Sequence, residues 1–183
     1  MGASAGIKEN SQEGLTISDY YREQNAGLHA ARADYGRHGH KWADQITALY
    51  RKLGCSNMLD YGSGKGSLKD ALPRDFTVAE YDPAIPGKDG TPEPADLVVC
   101  IDVLEHIEPE YLDAVLDDLV RCAKIAVYLV ADCKPAKKFL PDGRNAHLIV
   151  ELPSWWLERL EKRFETLAFS GNAQGLAYIG KPR

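Results

Sequence analysis

Leu59-Asp-Tyr-Gly-Ser-Gly-Lys-Gly66 decides the fold. Asn57-Met-Leu-Asp-Tyr61 reads as a strand running into it, and Ser67-Leu-Lys-Asp-Ala-Leu72 reads as the helix that follows it. A strand, a glycine turn and a helix in that order set the unpaired N–H groups of the helix beside the turn. Gly62 lets the chain reverse sharply, and Gly64 and Gly66 leave space for a ligand because neither carries a Cβ. The next strand, Thr77 to Tyr81, ends on Asp82, sixteen residues past Gly66. A carboxylate at that strand end accepts both ribose hydroxyls of a nucleoside in a Rossmann-like sheet. Either feature alone has an ordinary explanation, since glycines make turns and an acid before Pro83 caps a loop. Together, in this order, they point to a nucleoside pocket.

The spacing narrows the ligand. Dinucleotide sites carry GxGxxG, whereas this chain has GxGxG with Asp60 ahead of it. A carboxylate there repels a pyrophosphate and pairs with an ammonium group, which disfavours NAD.

Outward from this centre, strands and helices alternate. Ser18 and Asp19 can cap a first helix that carries Tyr20, Tyr21 and Leu28, broken by Tyr35-Gly-Arg-His-Gly39. Trp42, Ile46, Leu49, Tyr50 and Leu53 form one helical face, and Gly54 ends it. Residues 1–16 show no periodicity and read as a flexible lead-in to a single domain over 17–183, with the helices of 17–54 covering the site. Asp96 to Asp102 and Ile125 to Val130 are continuous apolar runs, as strands buried on both faces require. Pro109 opens a helix through Leu119, a polar loop spans Ala131 to Leu152, and Pro153 to Phe164 reads as a helix. Glu165 to Ser170 and Leu176 to Ile179 are the closing strands. The fold class is α/β, a Rossmann-like doubly wound sheet, mostly parallel with an antiparallel C-terminal strand.

MLDYGSGKG, VAEYDPA and ADLVVCIDVLEHIEP, with the C-terminal helix and strand pair, resemble the class I S-adenosylmethionine-dependent methyltransferases from Trp42 to Ile179. The resemblance implies S-adenosylmethionine as cofactor, held by Asp60, Gly62, Ser63, Gly64, Gly66, Asp82 and Asp102. Gly62, Gly64 and Gly66 would line its methionine part, and Asp82 would hold the ribose. The chain departs from the family at one place. Thirteen residues, Pro83 to Ala95, separate Asp82 from Asp96, too few for the usual helix and third strand. The sheet is expected to lack that strand, leaving Thr77 to Tyr81 at an edge where Glu80 discourages pairing. The acid that reads the adenine amine in the family goes with it, and the loop around Lys88 and Asp89 is the candidate substitute.

Candidate catalytic residues are His147, Glu105 and His106. His147 lies after the fifth strand of the family order, at the ligand edge, where a neutral imidazole could take an acceptor proton or anchor its loop. Asp102, Glu105, His106 and His147 resemble the ligand group of the small-RNA 2′-O-methyltransferases. The EHIEP string also occurs in methyltransferases that use no metal, and the expectation is a site without one. Trp156 fits a core position, and Trp155 either core or stacking. Lys134, Lys137, Lys138 and Arg144, with Arg22, Arg32, Arg37 and Lys41, could make a basic mouth on an acidic protein.

The composition bounds the rest. The chain has 183 residues, 22 basic against 27 acidic, and a net charge of −5, which argues against long duplex DNA as partner. No Asp/Asn-Pro-Pro-aromatic string follows the fourth strand of the family order, and no Pro-Cys nucleophile occurs. No apolar run approaches a membrane span, the N-terminus holds no signal-peptide core, and four cysteines form no CxxC pair. These features read as cytoplasmic. The expected activity is methyl transfer to an anionic small-molecule or nucleotide acceptor. The alternatives are a non-catalytic cofactor-binding module and a metal-assisted RNA 2′-O-methyltransferase.

Overall fold

The computed structural model describes residues 16–31 and 39–183. The lead-in over 1–15, the break at 35–38, Arg32 and Arg37 lie outside the described residues. Helix α1 (Asp19–Ala31) starts where the sequence places it, because the Ser18 hydroxyl oxygen accepts the Tyr21 N–H at 3.1 Å. A short 3-10 turn (Gly39–Trp42) leads into α2 (Ala43–Leu53). That helix ends on left-handed Gly54, whose N–H returns to the last carbonyls.

The strands are β1 (Met58–Tyr61), β2 (Val78–Tyr81), β3 (Ala95–Ile101), β4 (Ala123–Asp132), β5 (Phe164–Asn172) and β6 (Gly175–Pro182). Between them stand α3 (Ser67–Ala71), α4 (Leu112–Cys122) and α5 (Pro153–Glu161). The six-stranded sheet has the order β2-β1-β3-β4-β6-β5. β1 is parallel to β2 and β3, β3 to β4, and β6 runs antiparallel to both β4 and β5. No strand intervenes between β2 and β3 in the chain, so the expected loss of the third strand is what the structure has. Among the described residues β2 pairs with β1 alone and forms an edge. α4 starts at Leu112 rather than Pro109, because Pro109–Tyr111 is a 3-10 turn, and α5 ends at Glu161, short of Phe164. Phe164 instead opens β5 and packs in the core.

The continuous apolar runs are explained by two cores, one on each face of the sheet. Val98 and Cys100 of β3 and Val127 and Leu129 of β4 face α4 and α5, with Leu116, Leu119 and Trp156. Leu97 and Val99, Ala126 and Tyr128 face the other way, toward Ile46 of α2 and Leu68 of α3. Trp156 is fully buried, as its position predicts, and Trp155 lies half-buried with the Arg159 guanidinium 3.4 Å from its ring centre. A third cluster joins Ile17 and Tyr21 of the N-terminal segment to Leu140 and Ala146 of the loop after β4. That cluster roofs one end of the sheet. Among the described residues no helix is long and apolar enough to cross a membrane.

Candidate active site

The order of strands turns between β1 and β3, and a crevice opens outside their carboxyl ends there. It widens into a cavity of about 490 Å³ lined by the glycine loop, Asp82, Asp102 and the roof residues Ile17, Tyr21 and Asn25. A pocket of this size suits a cofactor-sized ligand. All the sequence-selected site residues line it except Gly66. Gly66 instead caps α3 in the left-handed region, and a Cβ there would stand 2.5 Å from Glu80 Oε1. Gly66 thus shapes the turn from outside the cavity wall.

The loop geometry follows from its glycines. Gly62, Gly64 and Gly66 have φ of 78°, 51° and 79°, a region that excludes most side chains. The Gly62 and Ser63 N–H groups both donate to the Tyr81 carbonyl, at 2.8 and 2.9 Å, which hooks the turn onto the end of β2. Asp82 then accepts the Gly64 N–H at 3.0 Å on Oδ2 and the Ala84 N–H at 3.0 Å on Oδ1. These bonds orient the carboxylate and leave it a second lone pair on each oxygen. Asp60, buried at the end of β1, has its carboxyl pushed up to about 7. Loss of water is the main cause; Glu80 and Asp82 add to it and the Lys88 ammonium opposes it. A cationic ligand group beside Asp60 would relieve that burden, so the residues present fit an ammonium there.

Asp102 sits at φ 52°, the sole non-glycine described residue with positive φ, just past β3. That backbone conformation, held by its N–H to the Val130 carbonyl at 3.0 Å, turns the chain into a 3-10 turn (Leu104–His106). The turn delivers Glu105 and His106 to the cavity, and the loop after β4 brings His147 to meet them. One ligand atom from each of the three lies within 4.8 Å of the others. The His106 and His147 ring centres are 4.8 Å apart with perpendicular planes. His106 Nδ1–H donates to the Ala146 carbonyl at 2.7 Å, and His147 Nδ1–H to the Lys134 carbonyl at 2.6 Å. Carbonyls only accept, so both rings carry a proton on Nδ1, which leaves Nε2 as the nitrogen that can meet a ligand. Burial, with His147 and Lys138 nearby, holds His106 down at about 4, so it is neutral near pH 7. Glu105 is fully buried and pushed up to about 8, chiefly by desolvation and next by Asp102. Its Oε1 accepts the Asp132 N–H at 3.0 Å, and Oε2 has no hydrogen-bond partner.

Two sequence expectations need correction. Arg144 does not line the cavity; it pairs with Asp142 at 2.8 Å and lies over the Tyr21 ring, fastening the roof. Lys134, Lys137 and Lys138 do line it. Neither Lys88 nor Asp89 faces the cavity, because Lys88 turns back to the glycine loop and Asp89 accepts the Gly87 N–H at 3.0 Å; Pro83 and Ala84 line it instead. The sequence reading puts the helices of 17–54 over the site without singling out Tyr21 and Asn25, whose place follows from how the loop after β4 folds onto α1.

No family model and no curated protein matches the chain. Solved structures do. DhpI in complex with SAH is similar at a TM-score of 0.62 and 18% identity, covering 91% of this chain and 98% of that one. The N-methyltransferase NodS from Bradyrhizobium japonicum with S-adenosyl-L-homocysteine reaches 0.57 at 13%, covering 88% and 98%. The small RNA methyltransferase HEN1 reaches 0.58 at 14%, covering 78% of this chain and 25% of that one. The sheet order, the glycine turn under α3 and these likenesses agree: the chain has the class I S-adenosylmethionine-dependent methyltransferase fold.

Proposed function

We propose that this chain transfers the methyl group of S-adenosylmethionine to an anionic acceptor, a small molecule or a nucleotide. One observation carries the reading: a single cavity has Asp60 and Asp82 at the glycine loop and Lys134, Lys137 and Lys138 on the loop after β4. The carboxylates suit an ammonium and a ribose, and the cations suit a negative acceptor on a protein of net charge −5. The bound cofactor supplies an electrophilic methyl carbon on a sulfonium. The chain's own part is to hold the acceptor in line with it and keep water out, which positioning alone can make effective. An acceptor hydroxyl or amine loses a proton as the new bond forms, and Nε2 of His147 or His106 can accept it.

The test is formation of S-adenosylhomocysteine with a panel of nucleotides and of phosphorylated or carboxylated metabolites. Lys137→Glu with Lys138→Glu is expected to raise the acceptor KM while cofactor affinity stays constant. Cofactor binding without turnover on any acceptor would favour a non-catalytic module, and tight duplex DNA binding would contradict the anionic small acceptor.

A second reading is favoured by the Glu105, His106 and His147 cluster: a metal-assisted RNA 2′-O-methyltransferase. Ring nitrogens with Nδ1–H tied to carbonyls are how metal-binding histidines are held, and an unpartnered buried carboxylate oxygen completes an O/N donor set. Bond lengths of about 2.0–2.2 Å keep ligand atoms within roughly 4.4 Å of each other, so the 4.8 Å spread must contract slightly. A divalent ion there would supply Lewis-acid polarisation of a sugar hydroxyl. Loss of turnover in EDTA with recovery in manganese or magnesium would establish this reading, and turnover unaffected by EDTA would establish the metal-free one.

A further inference from the structure

We propose that Lys88, which does not touch the cavity, is a positioning residue that locks the glycine loop to the ribose-binding acid in place of the absent third strand. This rests on the cofactor reading above. After Asp82 the chain folds back in a tight turn, with Ile85 N–H donating to the Asp82 carbonyl at 3.2 Å and Lys88 N–H to the Ile85 carbonyl at 3.0 Å. The turn returns Lys88 to the edge of the sheet. Three bonds then close a ring. Asp82 N–H donates to the Lys88 carbonyl at 3.0 Å, Lys88 Nζ to the Gly64 carbonyl at 2.9 Å, and Gly64 N–H to Asp82 Oδ2 at 3.0 Å. Each member holds the next, so Gly64 and Asp82 cannot separate unless the Lys88 contact breaks.

Glu80 completes the device. Its Oε1 takes Lys88 Nζ at 2.9 Å and its Oε2 takes Lys69 Nζ of α3 at 3.3 Å. The residue that the sequence suggests as a guard on an open edge is a paired charge joining the edge, the glycine loop and α3. Exposed ion pairs contribute little, but only 23% of the Lys88 side chain and 17% of that of Glu80 are exposed. One of the partners is also a backbone carbonyl of the ligand loop.

The arrangement reaches Asp60 electrostatically. The groups acting on Asp60 are Glu80 and Asp82 from the β2 side and the Lys88 ammonium, while the Cys100 thiol of β3, on the other face of the sheet, is kept protonated by burial. Lys88 is the one cation among them. Its removal leaves Glu80 with Lys69 alone, at 3.3 Å on its other oxygen, so more of the Glu80 charge bears on a carboxylate that must be ionised to hold an ammonium.

Calorimetry with S-adenosylmethionine from pH 6 to 9 tests this on the native chain, Lys88→Met, Lys88→Arg and Lys88→Met/Glu80→Gln. Lys88→Met should bind about tenfold more weakly at pH 7, the scale of one charge-assisted bond, with the midpoint of its pH profile moved upward. Lys88→Arg should recover most of the affinity. The double variant should return the midpoint toward the native one while remaining weak at every pH tested, because the lost loop contact does not titrate. Native-like affinity and midpoint in Lys88→Met would overturn the proposal. So would a loss of affinity with unmoved midpoint and a matching fall in ligand-free thermal stability, which would make Lys88 merely structural. No binding by the native chain would overturn the cofactor reading and this one with it.

Discussion

Ser18 and Glu108 are joined twice: the Ser18 N–H donates to Oε2 of Glu108 at 2.9 Å and its hydroxyl to Oε1 at 2.7 Å. Ninety residues separate them, so the start of α1 is fastened to the segment between the Leu104–His106 turn and α4 by one buried carboxylate. Hydrogen bonds to a charged group contribute about 1.5–3 kcal/mol each. Glu108→Ala should therefore speed amide exchange in α1 by tens-fold or more while β3 and β4 keep their protection. Hydrogen exchange read by mass spectrometry checks this, and unchanged protection of α1 would show that the apolar cluster of Ile17, Tyr21, Leu140 and Ala146 suffices alone.

Asp60 should make cofactor binding depend on pH. Its carboxyl is pushed up to about 7, so it is mostly protonated at pH 6 and mostly ionised at pH 8. Only the ionised form attracts an ammonium, and affinity should fall about tenfold on going from pH 8 to pH 6. Asp60→Asn should bind weakly with a flat profile across that range. Titration calorimetry at several pH values measures both, and a parallel slope in the variant would assign the effect to another group.

Gly62 faces Val103, and a Cβ on Gly62 would lie 3.0 Å from Val103 Cγ1 and closer still to Cγ2. Gly62→Ala should abolish measurable cofactor binding and destabilise the chain by about 1–3 kcal/mol. Adding Val103→Ala removes the collision but leaves φ at 78°, so it should restore part of the loss only. Full restoration would mean that the backbone angle costs nothing there.

The glycine loop, Asp82 and the missing strand were legible because each is a local matter of spacing. Thirteen residues cannot hold a helix and a strand, whatever surrounds them. The two buried strands showed in the same way, as unbroken apolar runs. What spacing does not carry is the choice of partner between loops. Glu80 reads as an edge charge until the turn over 82–88 brings Lys88 back to it. Arg144 reads as part of a basic mouth until Asp142, two residues away, takes its guanidinium. The shared Nδ1–H tautomer of His106 and His147 depends on two carbonyls, Ala146 and Lys134, that no pattern singles out.

Glu105 should make ligand-free stability fall as pH rises. Its folded-state value of about 8 lies above the ordinary 4.5, so the folded chain keeps a proton that the unfolded chain releases between those values. Stability is fully present below about pH 4.5 and is lost progressively toward pH 8. Glu105→Gln can keep the bond from the Asp132 N–H and has nothing to ionise. It should raise the unfolding midpoint at pH 9 by several degrees, at roughly 2–4 °C per kcal/mol for a chain of this size. Equal midpoints for native and variant at pH 9 would mean that the carboxyl ionises there without cost.

The edge position of β2 has a thermodynamic consequence. Asp82 continues the outermost parallel strand, and a strand held by one neighbour opens more readily than one held by two. A nucleoside bound at Asp82 would stabilise this margin of the sheet, and reciprocity would make the firmness of that margin part of the affinity. Changes in the loop over 83–94 that shift how often β2 detaches would then retune occupancy without altering one atom that meets the ligand. A sheet that kept its third strand would have no such control, because its acid would stand on an interior strand already fixed on both sides.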